Sequence, residues 1–300
     1  MKPSIHVPVL ATEIIEWLTP KTSRSDDSAN PVILVDGTLG GGGHTRLLAM
    51  LVGEHGRVLA VDRDPEAVAR AEVTLQGLPV LIAQSSYTDV PELLQETGIE
   101  QVDGILVDLG LSSDQLEDDQ RGFSFNMDGP LDLRFDPTEG KSAAQLIKRI
   151  SPEHLADIIY QYGEERFSRR IARAICERQR TRPIESSSDL ADIVRRSVPP
   201  AARHQKIDAA TRTFQALRIA VNEELKQLEL ALRRLPDCLR VGGRFAAMSF
   251  HSLEDRLVKN AFRDDKRLES LTRKPVVASE SEIAANPRSR SAKLRIAERV

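Results

Sequence analysis

The sequence predicts a doubly wound α/β sheet that is interrupted by an all-α insertion. Between residues 32 and 108, short apolar runs closed by turn residues alternate with amphipathic segments, which is typical of a parallel sheet with helices on both faces. From 142 to about 199 the pattern is purely helical. A strand pattern returns at 244–250, after two glycines, so the last strands are expected to complete the sheet.

The first half of the chain divides into elements at its apolar runs and turn residues. An amphipathic segment at 10–18 is stopped by Pro20, and the polar stretch 21–31 is predicted to be a flexible loop. The predicted strands and helices then alternate: strands at 32–36, 57–62, 79–83 and 102–108, and helices at about 44–52, 65–76 and 88–97.

The second half begins with a long stretch, 109–139, that is rich in Gly, Pro and Asp. A loop of that length in a compact domain is usually functional. Four helices are expected between 142 and 199, followed by one long helical tract at 206–235. The predicted C-terminal elements are a strand at 244–250, a helix at 251–262, a polar loop near 265–290 and an apolar alternating segment at 292–296. We therefore expect an α/β domain from 1–112 and 208–300, and a helical insertion from 113–207.

Composition excludes some classes of protein and leaves others open. The 300 residues include 42 basic and 45 acidic side chains, a net charge of -3, which does not indicate a nucleic-acid binder but says little about local patches. Aromatic residues make up only 4%, so a base-stacking sheet is not expected. The two cysteines form no metal motif or disulfide framework. Without a signal peptide or a membrane-length apolar run, we expect a soluble, cytoplasmic protein.

The stretch 32–44, VILVDGTLGGGGH, predicts the ligand-binding first turn of the sheet. Glycines after a buried strand allow close backbone approach to a ligand, and the following helix presents unpaired N–H groups. The dinucleotide pattern G-x-G-x-x-G fails because its last glycine falls on Thr45, and the P-loop fails because Gly43 stands where the Lys must be. Asp62 at the next strand end suits a ribose diol. This combination favours S-adenosylmethionine (SAM); the alternative is a generic glycine-rich turn with a strand-end acid.

Several long motifs resemble the RsmH (MraW) family. They are DGTLGGGGH, AVDRDP, DGILVDLGLSS, RGFSFNMDGPLDLRFDP, YGEERFSRRIARAI, TRTFQALRIAVNEEL, SFHSLEDR and NPRSRSAKLRIAER, and they extend from His6 to Arg299. The resemblance implies a Rossmann-like SAM-dependent methyltransferase that acts on N4 of a cytidine in the decoding region of bacterial 16S ribosomal RNA. It also implies that the insertion shapes the RNA-binding site.

The resemblance also implies the cofactor-binding residues. Carried over position by position, they are Gly42, Gly43, His44, Asp62, Tyr87, Asp108 and Gln115. The residue types are suitable: glycines admit the backbone, a carboxylate accepts from ribose hydroxyls, and a tyrosine ring can lie against adenine. The alternatives are that Asp62 only caps its strand, that Tyr87 is a core aromatic and that His44 is an ordinary first-turn helix residue.

Three residues are candidates for catalysis. A hydrogen-bond acceptor at the cytosine amine would hold its lone pair in line with the methyl group, and we expect Asp108, helped by Ser112, to provide it. Asp108-Leu109-Gly110 replaces the Asp/Asn/Ser-Pro-Pro-aromatic sequence of many amino-methyltransferases, so Asp108 could instead contact SAM alone. His251 could accept the released proton; alternatively it caps the following helix or pairs with Glu254 or Asp255. We expect no metal.

RNA contacts are expected from arginines in and beyond the insertion, with a solvated charged face as the alternative. These residues are Arg166, Arg169, Arg170, Arg173, Arg178, Arg180, Arg182, Arg212, Arg218, Arg273, Lys274, Arg288 and Arg290. The loop 121–136, with Phe123, Phe125 and Phe135, could stack on a splayed-out base or could simply pack the insertion.

The function predicted from sequence is SAM-dependent methylation of 16S rRNA in the small ribosomal subunit, without a membrane; a homodimer is compatible with the sequence. Two rivals stay open: a SAM methyltransferase with another RNA or protein substrate, and a non-catalytic SAM-binding ribosome assembly factor. A third, an NAD-dependent dehydrogenase, is disfavoured by the missing glycine register.

Overall fold

The computed structural model describes residues 7–20, 31–125, 127–200 and 208–300. Their contacts divide the chain into two compact units. One holds the residues up to Ser113 together with Leu225–Val300, and the other is Asp114–Glu224. The predicted loop 21–31 and the first residues of the predicted tract 206–235 lie mostly outside the described residues. No helix in the described part of the chain is long and apolar enough to cross a membrane.

The first unit is built on one seven-stranded sheet with the order β3-β2-β1-β4-β5-β7-β6. The strands are β1 Ile33–Asp36, β2 Arg57–Asp62, β3 Val80–Gln84, β4 Val102–Asp108, β5 Leu239–Ser249, β6 Leu268–Ser270 and β7 Lys293–Arg299. The first five are parallel where they pair, whereas β7 runs antiparallel to β5 and to β6. A parallel sheet with a short antiparallel edge is a common form of doubly wound fold.

Both faces of this sheet are covered by helices, which explains why its strands are continuously apolar. The helices of this unit are α1 Ala11–Leu18, α2 Gly43–Val52, α3 Pro65–Thr74, α4 Val90–Glu96, α11 Glu224–Arg234, α12 Ser252–Asp264 and α13 Glu280–Ala285. Leu34 and its neighbours on one face pack with α1 and α2, and Val35 and its neighbours on the other face pack with α4, α11 and α12. The predicted α/β fold is therefore confirmed.

The strand order reverses between β1 and β4, which pair directly. In open α/β sheets, ligands bind beyond the carboxyl ends of the strands at such a reversal. Three strands that meet there, β1, β2 and β4, each end in an acid: Asp36, Asp62 and Asp108. The fold thus gathers three carboxylates at the edge where a ligand is expected.

The second unit is helical in its regular parts. Its helices are α6 Ala143–Arg149, α7 Pro152–Gly163, α8 Ser168–Thr181, α9 Ser187–Ser197 and α10 Ala209–Asn222, and the short α5 Ser113–Glu117 begins at its boundary. Side chains of Ser142, Ser151, Ser186 and Asp208 each accept a hydrogen bond from the first turn of the following helix. Such caps satisfy free amides of the first helical turn and fix where these four helices begin.

The long tract 206–235 differs from its prediction, because it forms two helices instead of one. Glu223 adopts a left-handed conformation (φ 52°), ending α10, and α11 starts at the next residue. No Gly or Pro marks the break. α10 packs against α7 and α9 and so belongs to the helical unit, whose boundary falls after Glu224, whereas residues from 208 are expected from sequence to belong to the α/β domain.

The C-terminal part contains more structure than predicted. β5 starts at Leu239, five residues before the predicted strand, and its pairing with β4 shifts register between Val102 and Gly104. The segment predicted as a polar loop near 265–290 contains β6, α13 and a short 3₁₀-helix at Pro287–Ser291. β6 was missed because three residues are too few to display a period.

Candidate functional site

The turn after β1 is held by the buried carboxylate of Asp36. This group accepts hydrogen bonds from the Thr38 amide (3.0 Å) and from Thr45 Oγ1 (2.7 Å), linking the strand end to the first turn of α2. Burial raises the pKa of Asp36 despite these bonds and the nearby charge of His44. Asp36 was not among the residues singled out from sequence, although its place at a strand end, like that of Asp62 and Asp108, was a usable signal.

Glycine is required at two positions of the following turn. Gly40 and Gly42 have φ values of +48° and +77°, which side chains with a Cβ rarely adopt. Gly42 is also the N-terminal cap of α2, so the free amides of that helix follow directly. Gly43 begins the helix and needs no special conformation. The turn therefore presents open backbone at a helix N-terminus.

Asp62 closes the turn from the neighbouring strand. Its Oδ2 accepts from the Gly40 amide (2.7 Å) and its Oδ1 from the Asp64 amide (2.9 Å). Burial raises the pKa of Asp62 to about 6 in spite of these two bonds. Each carboxylate oxygen has a second lone pair, so the group retains acceptor capacity for two donors. Asp62 therefore has a structural role at the end of its strand, and it also retains the acceptors that a ribose diol needs.

His44 connects α2 to the end of β4. Its Nε2 lies 3.0 Å from the Val9 carbonyl oxygen, and its Nδ1 lies 3.4 Å from Asp108 Oδ2. Burial by itself lowers the pKa of His44, but the carboxylates of Asp108 and Asp36 outweigh it, and the pKa is raised. Because both ring nitrogens face acceptors, the geometry favours the doubly protonated imidazolium. His44 is therefore more than an ordinary first-turn residue.

The backbone amide and one carboxylate oxygen of Asp108 have protein partners, whereas the other carboxylate oxygen has none in the described part of the chain. Its amide donates to Thr38 Oγ1 (2.7 Å), and its Oδ2 faces His44. Its Oδ1 is buried and has no hydrogen-bond partner in the described structure. A buried acceptor without a partner costs free energy and is uncommon in native proteins, so it indicates a position where a ligand donates.

Tyr87 and Ser112 lie beside the glycine turn. A Cβ added to Gly37 would lie 3.0 Å from the Tyr87 Cβ, and one added to Gly40 would lie 3.5 Å from the Ser112 Cβ. Tyr87 is half-buried and packs against the core, which agrees in part with the alternative that it is a core aromatic residue. Gln115 is buried but belongs to the other compact unit, and its cofactor contact stays a prediction.

His251 has a structural role at the start of a helix. It is the N-terminal cap of α12: its Nδ1 accepts from the Glu254 amide (3.4 Å), and its Nε2 lies 3.0 Å from Glu254 Oε1. The carboxylate of Glu254 in turn accepts from the Phe250 amide (2.9 Å). Nδ1 thus serves as the cap, whereas the buried Nε2 lies close to Glu254 without forming a hydrogen bond among the described residues. The cap favours the structural alternative over a catalytic proton acceptor.

The aromatic loop 121–136, apart from Asn126, packs within the helical unit. The rings of Phe123 and Phe135 are 5.9 Å apart, and that of Phe125 lies 5.2 Å from Phe214 of α10. Asn222 fixes the loop backbone, accepting from the Phe135 amide and donating to the Leu133 carbonyl (both 2.7 Å). These contacts favour packing over base stacking.

Several arginines proposed for RNA have protein partners instead. Arg218 makes two 2.8 Å bonds to Glu224, Arg212 lies 3.6 Å from Glu165, and Arg166 lies over the Phe167 ring. Arg288 donates to Ser113, whereas Arg273, Lys274 and Arg290 are exposed. In the described part of the chain there is no group of three His, Cys, Asp or Glu that could hold a metal ion.

Comparisons with known proteins identify relatives of this chain. A protein from Rhodopirellula baltica is 49% identical over 306 residues, covering 98% of this chain and 91% of its own length, and one from Deinococcus deserti is 50% identical over 297 residues, covering 99% and 94%. Both are named Ribosomal RNA small subunit methyltransferase H. The crystal structure of a rRNA methylase from Streptococcus thermophilus matches 98% of each chain at 12% identity with a TM-score of 0.46, which is too low to support a conclusion. The model of the MraW methylase family matches residues 3–300, and the chain belongs to that family.

Proposed function

We propose that this protein transfers a methyl group from SAM to N4 of a cytidine in the decoding region of 16S rRNA. Membership of a methylase family and relatives named Ribosomal RNA small subunit methyltransferase H support the reaction and the substrate class. The observation that supports the chemistry is the buried, unpartnered Oδ1 of Asp108 at the strand reversal. The same family resemblance indicates the cytidine amine as the acceptor.

The residues at the strand ends fit SAM. The positive φ values of Gly40 and Gly42 and the retained acceptor capacity of Asp62 suit a nucleoside that presents a ribose diol and no phosphate. Asp62 would accept from the ribose hydroxyls, the backbone at Gly42 and Gly43 would border the methionine part, and Tyr87 would border the adenine. When bound, SAM supplies a methyl group made electrophilic by its sulfonium.

The task of the chain is then to orient the amine and remove its proton. The lone pair of a cytosine amine is delocalised into the ring, so a positioned acceptor on its N–H favours the nucleophilic form. Asp108 is suited to this because Thr38 and His44 fix its backbone and its Oδ2, leaving Oδ1 for the amine. Taking the methyl group from sulfur leaves the nitrogen with one proton too many, which Asp108 Oδ1 would accept. Ser112 is close enough to the turn to assist in orientation.

Labelled methyl transfer tests this proposal. Purified small subunits and free 16S rRNA are each incubated with the protein and labelled SAM, and the product is digested to nucleosides. We expect label on N4-methylcytidine, and the comparison of the two substrates shows whether an assembled particle is required. Label on another nucleoside or on protein would favour the rival methyltransferase. Binding of SAM and RNA without turnover would favour the assembly factor.

A further inference from the structure

An arginine-lined groove on the helical unit is not explained by cofactor binding or catalysis. It lies between α8 and the end of α9 and encloses about 430 Å³. The lining residues are Arg170, Arg173, Ala174, Glu177, Arg178, Ile193, Arg196 and Ser197. Four guanidinium groups thus face one carboxylate around a partly apolar floor.

The sequence of α8 explains why these arginines face outward. Ile171, Ala172, Ile175 and Cys176 are buried and form the core-facing side of the helix, while Arg170 and Arg173, three residues apart, are neighbours on the exposed side. Neither has an ion pair with a carboxylate among the described residues, so their charges are available to a ligand.

The other two arginines lie near acids at the edge of the groove. Arg178 Nη2 lies 3.0 Å from Asp189 Oδ2 of α9, and its Nη1 donates to the Arg182 carbonyl (2.6 Å), so this guanidinium is held in place. Arg196 Nη2 lies 3.9 Å from Asp192 Oδ2, and its side chain is largely exposed. The groove therefore combines one restrained guanidinium, that of Arg178, with three exposed cations.

We propose that this groove binds the phosphodiester backbone of the substrate RNA. Several arginines of like charge close together favour a ligand that carries several negative charges, and the guanidinium fork matches phosphate oxygens in pairs. The lining apolar residues Ala174 and Ile193 are suited to a sugar face between phosphates. The identity of the polyanion as RNA rests on the proposed function; the groove itself rests on its own geometry.

The structure distinguishes arginines that pair within the protein from arginines that line the groove, a distinction that the sequence does not show. Arg195 is paired with Asp208 (2.8 Å) and lies over Phe125, and Arg218 is paired with Glu224, so both hold the unit together. Arg170, Arg173, Arg178 and Arg196, by contrast, line the groove.

The test is the salt dependence of RNA binding. A labelled 16S rRNA fragment covering the decoding region is titrated with the S-adenosylhomocysteine-bound protein at several salt concentrations. Replacing Arg170, Arg173 and Arg196 together by Gln is expected to reduce the slope of log affinity against log salt by about 2, since each lost phosphate contact on a single strand contributes about 0.7. That corresponds to about a hundredfold weaker binding at 0.1 M salt. Glu177→Gln is expected to strengthen binding.

Two controls make the result decisive. Arg149→Gln removes one exposed charge from α6 in the same unit, outside the groove, and should leave the slope nearly unchanged. Unchanged binding of S-adenosylhomocysteine by each variant shows that it is folded. Equal slopes for the triple variant and the wild type would overturn the proposal, as would an equal loss of affinity for polyglutamate, which would indicate an acidic-protein site. Because binding is measured without turnover, a groove that binds RNA in a protein that fails to methylate would refute the proposed function alone.

Discussion

Two regions of this chain combine glycines with aspartates but differ in structure. One is the strand-end site, formed by the glycine turn after β1 with Asp62 and Asp108, and the other is the loop 121–136. In the loop, the carboxylates are satisfied by neighbouring donors: Asp132 accepts from Arg134 at both oxygens, and Asp136 accepts from the amide and hydroxyl of Thr138. At the strand-end site, the carboxylates retain unused acceptor capacity, most clearly at the buried Asp108 Oδ1. Composition alone therefore does not identify a binding site, whereas a buried carboxylate oxygen without a donor points to one.

The largest effect expected from this contrast is at Asp108. Asp108→Asn replaces the acceptor and should lower kcat per folded molecule by about 10² to 10⁴, the usual contribution of a positioned acid–base group; it also removes the charge that faces His44, so some loss of stability accompanies it. By contrast, Asp136→Asn should weaken two bonds within the loop, costing about 1 kcal/mol of stability, and should leave kcat per folded molecule unchanged. Single-turnover methyl transfer and thermal unfolding of both variants measure this. Similar kcat values for the two variants would contradict the contrast.

Substitution of glycines tests the same contrast, with an expected effect smaller than that at Asp108. Gly42 and Gly77 both have positive φ, so Ala at either should destabilise the protein by about 1–2 kcal/mol. Only Gly42 borders the expected ligand, so Gly42→Ala should also weaken S-adenosylhomocysteine binding, by about tenfold or 1.4 kcal/mol. Gly77, which has no atom within 4 Å of an added Cβ, is the matched control. If calorimetry shows equal affinities for the two variants, the glycine turn is not part of the binding site.

The pKa of Asp62 predicts a dependence of binding and stability on pH. Its folded-state pKa of about 6 is above the ordinary 3.8, so its contribution to stability is fully present below about 3.8 and is lost as pH rises through 6. Ribose hydroxyls bind the ionised form, so S-adenosylhomocysteine affinity should fall below pH 6 by up to about tenfold per pH unit. Asp62→Asn should bind more weakly and show a flatter profile between pH 5 and 8. Parallel profiles for both proteins would exclude Asp62 as the ribose acceptor.

The smallest effect is expected at His251. Asn is a good N-terminal cap, so His251→Asn should retain both stability and activity, whereas His251→Ala should lose about 1 kcal/mol of stability. Activity per folded molecule should be the same for all three proteins. A large fall in kcat for His251→Asn without loss of stability would restore the catalytic role that the capping geometry disfavours.

The regular parts of the fold were predictable because local patterns determine them. β2 and β4 have the predicted bounds, since each is an apolar run that ends in an acid, and Ser caps marked the starts of several insertion helices. The end of α10 at Glu223 was not predictable, because its left-handed residue is neither Gly nor Asn. The same tract shows Asn222 bonding a loop far away in sequence, which no local pattern reveals.

The location of the candidate site was predictable to the level of strand ends but not of side-chain orientation. Glycines and acids that follow apolar runs pointed to the edge of the sheet at which Gly42, Asp62 and Asp108 lie, and their contact with the cofactor stays a prediction. That His44 faces Asp108 and the Val9 carbonyl depends on how three distant segments pack, so sequence alone could not show it. For the same reason, which arginines of the insertion have acidic partners depends on how its helices pack, and no local sequence pattern reveals it.

The central claim is that the strand-end acids and the glycine turn bind a sulfonium nucleoside. Calorimetric titration of the wild-type protein with S-adenosylhomocysteine, NAD and ATP tests it most directly. The account predicts one site for S-adenosylhomocysteine, weakened by Asp62→Asn, and no measurable uptake of NAD or ATP. Tight binding of NAD or ATP together with indifference to S-adenosylhomocysteine would contradict it.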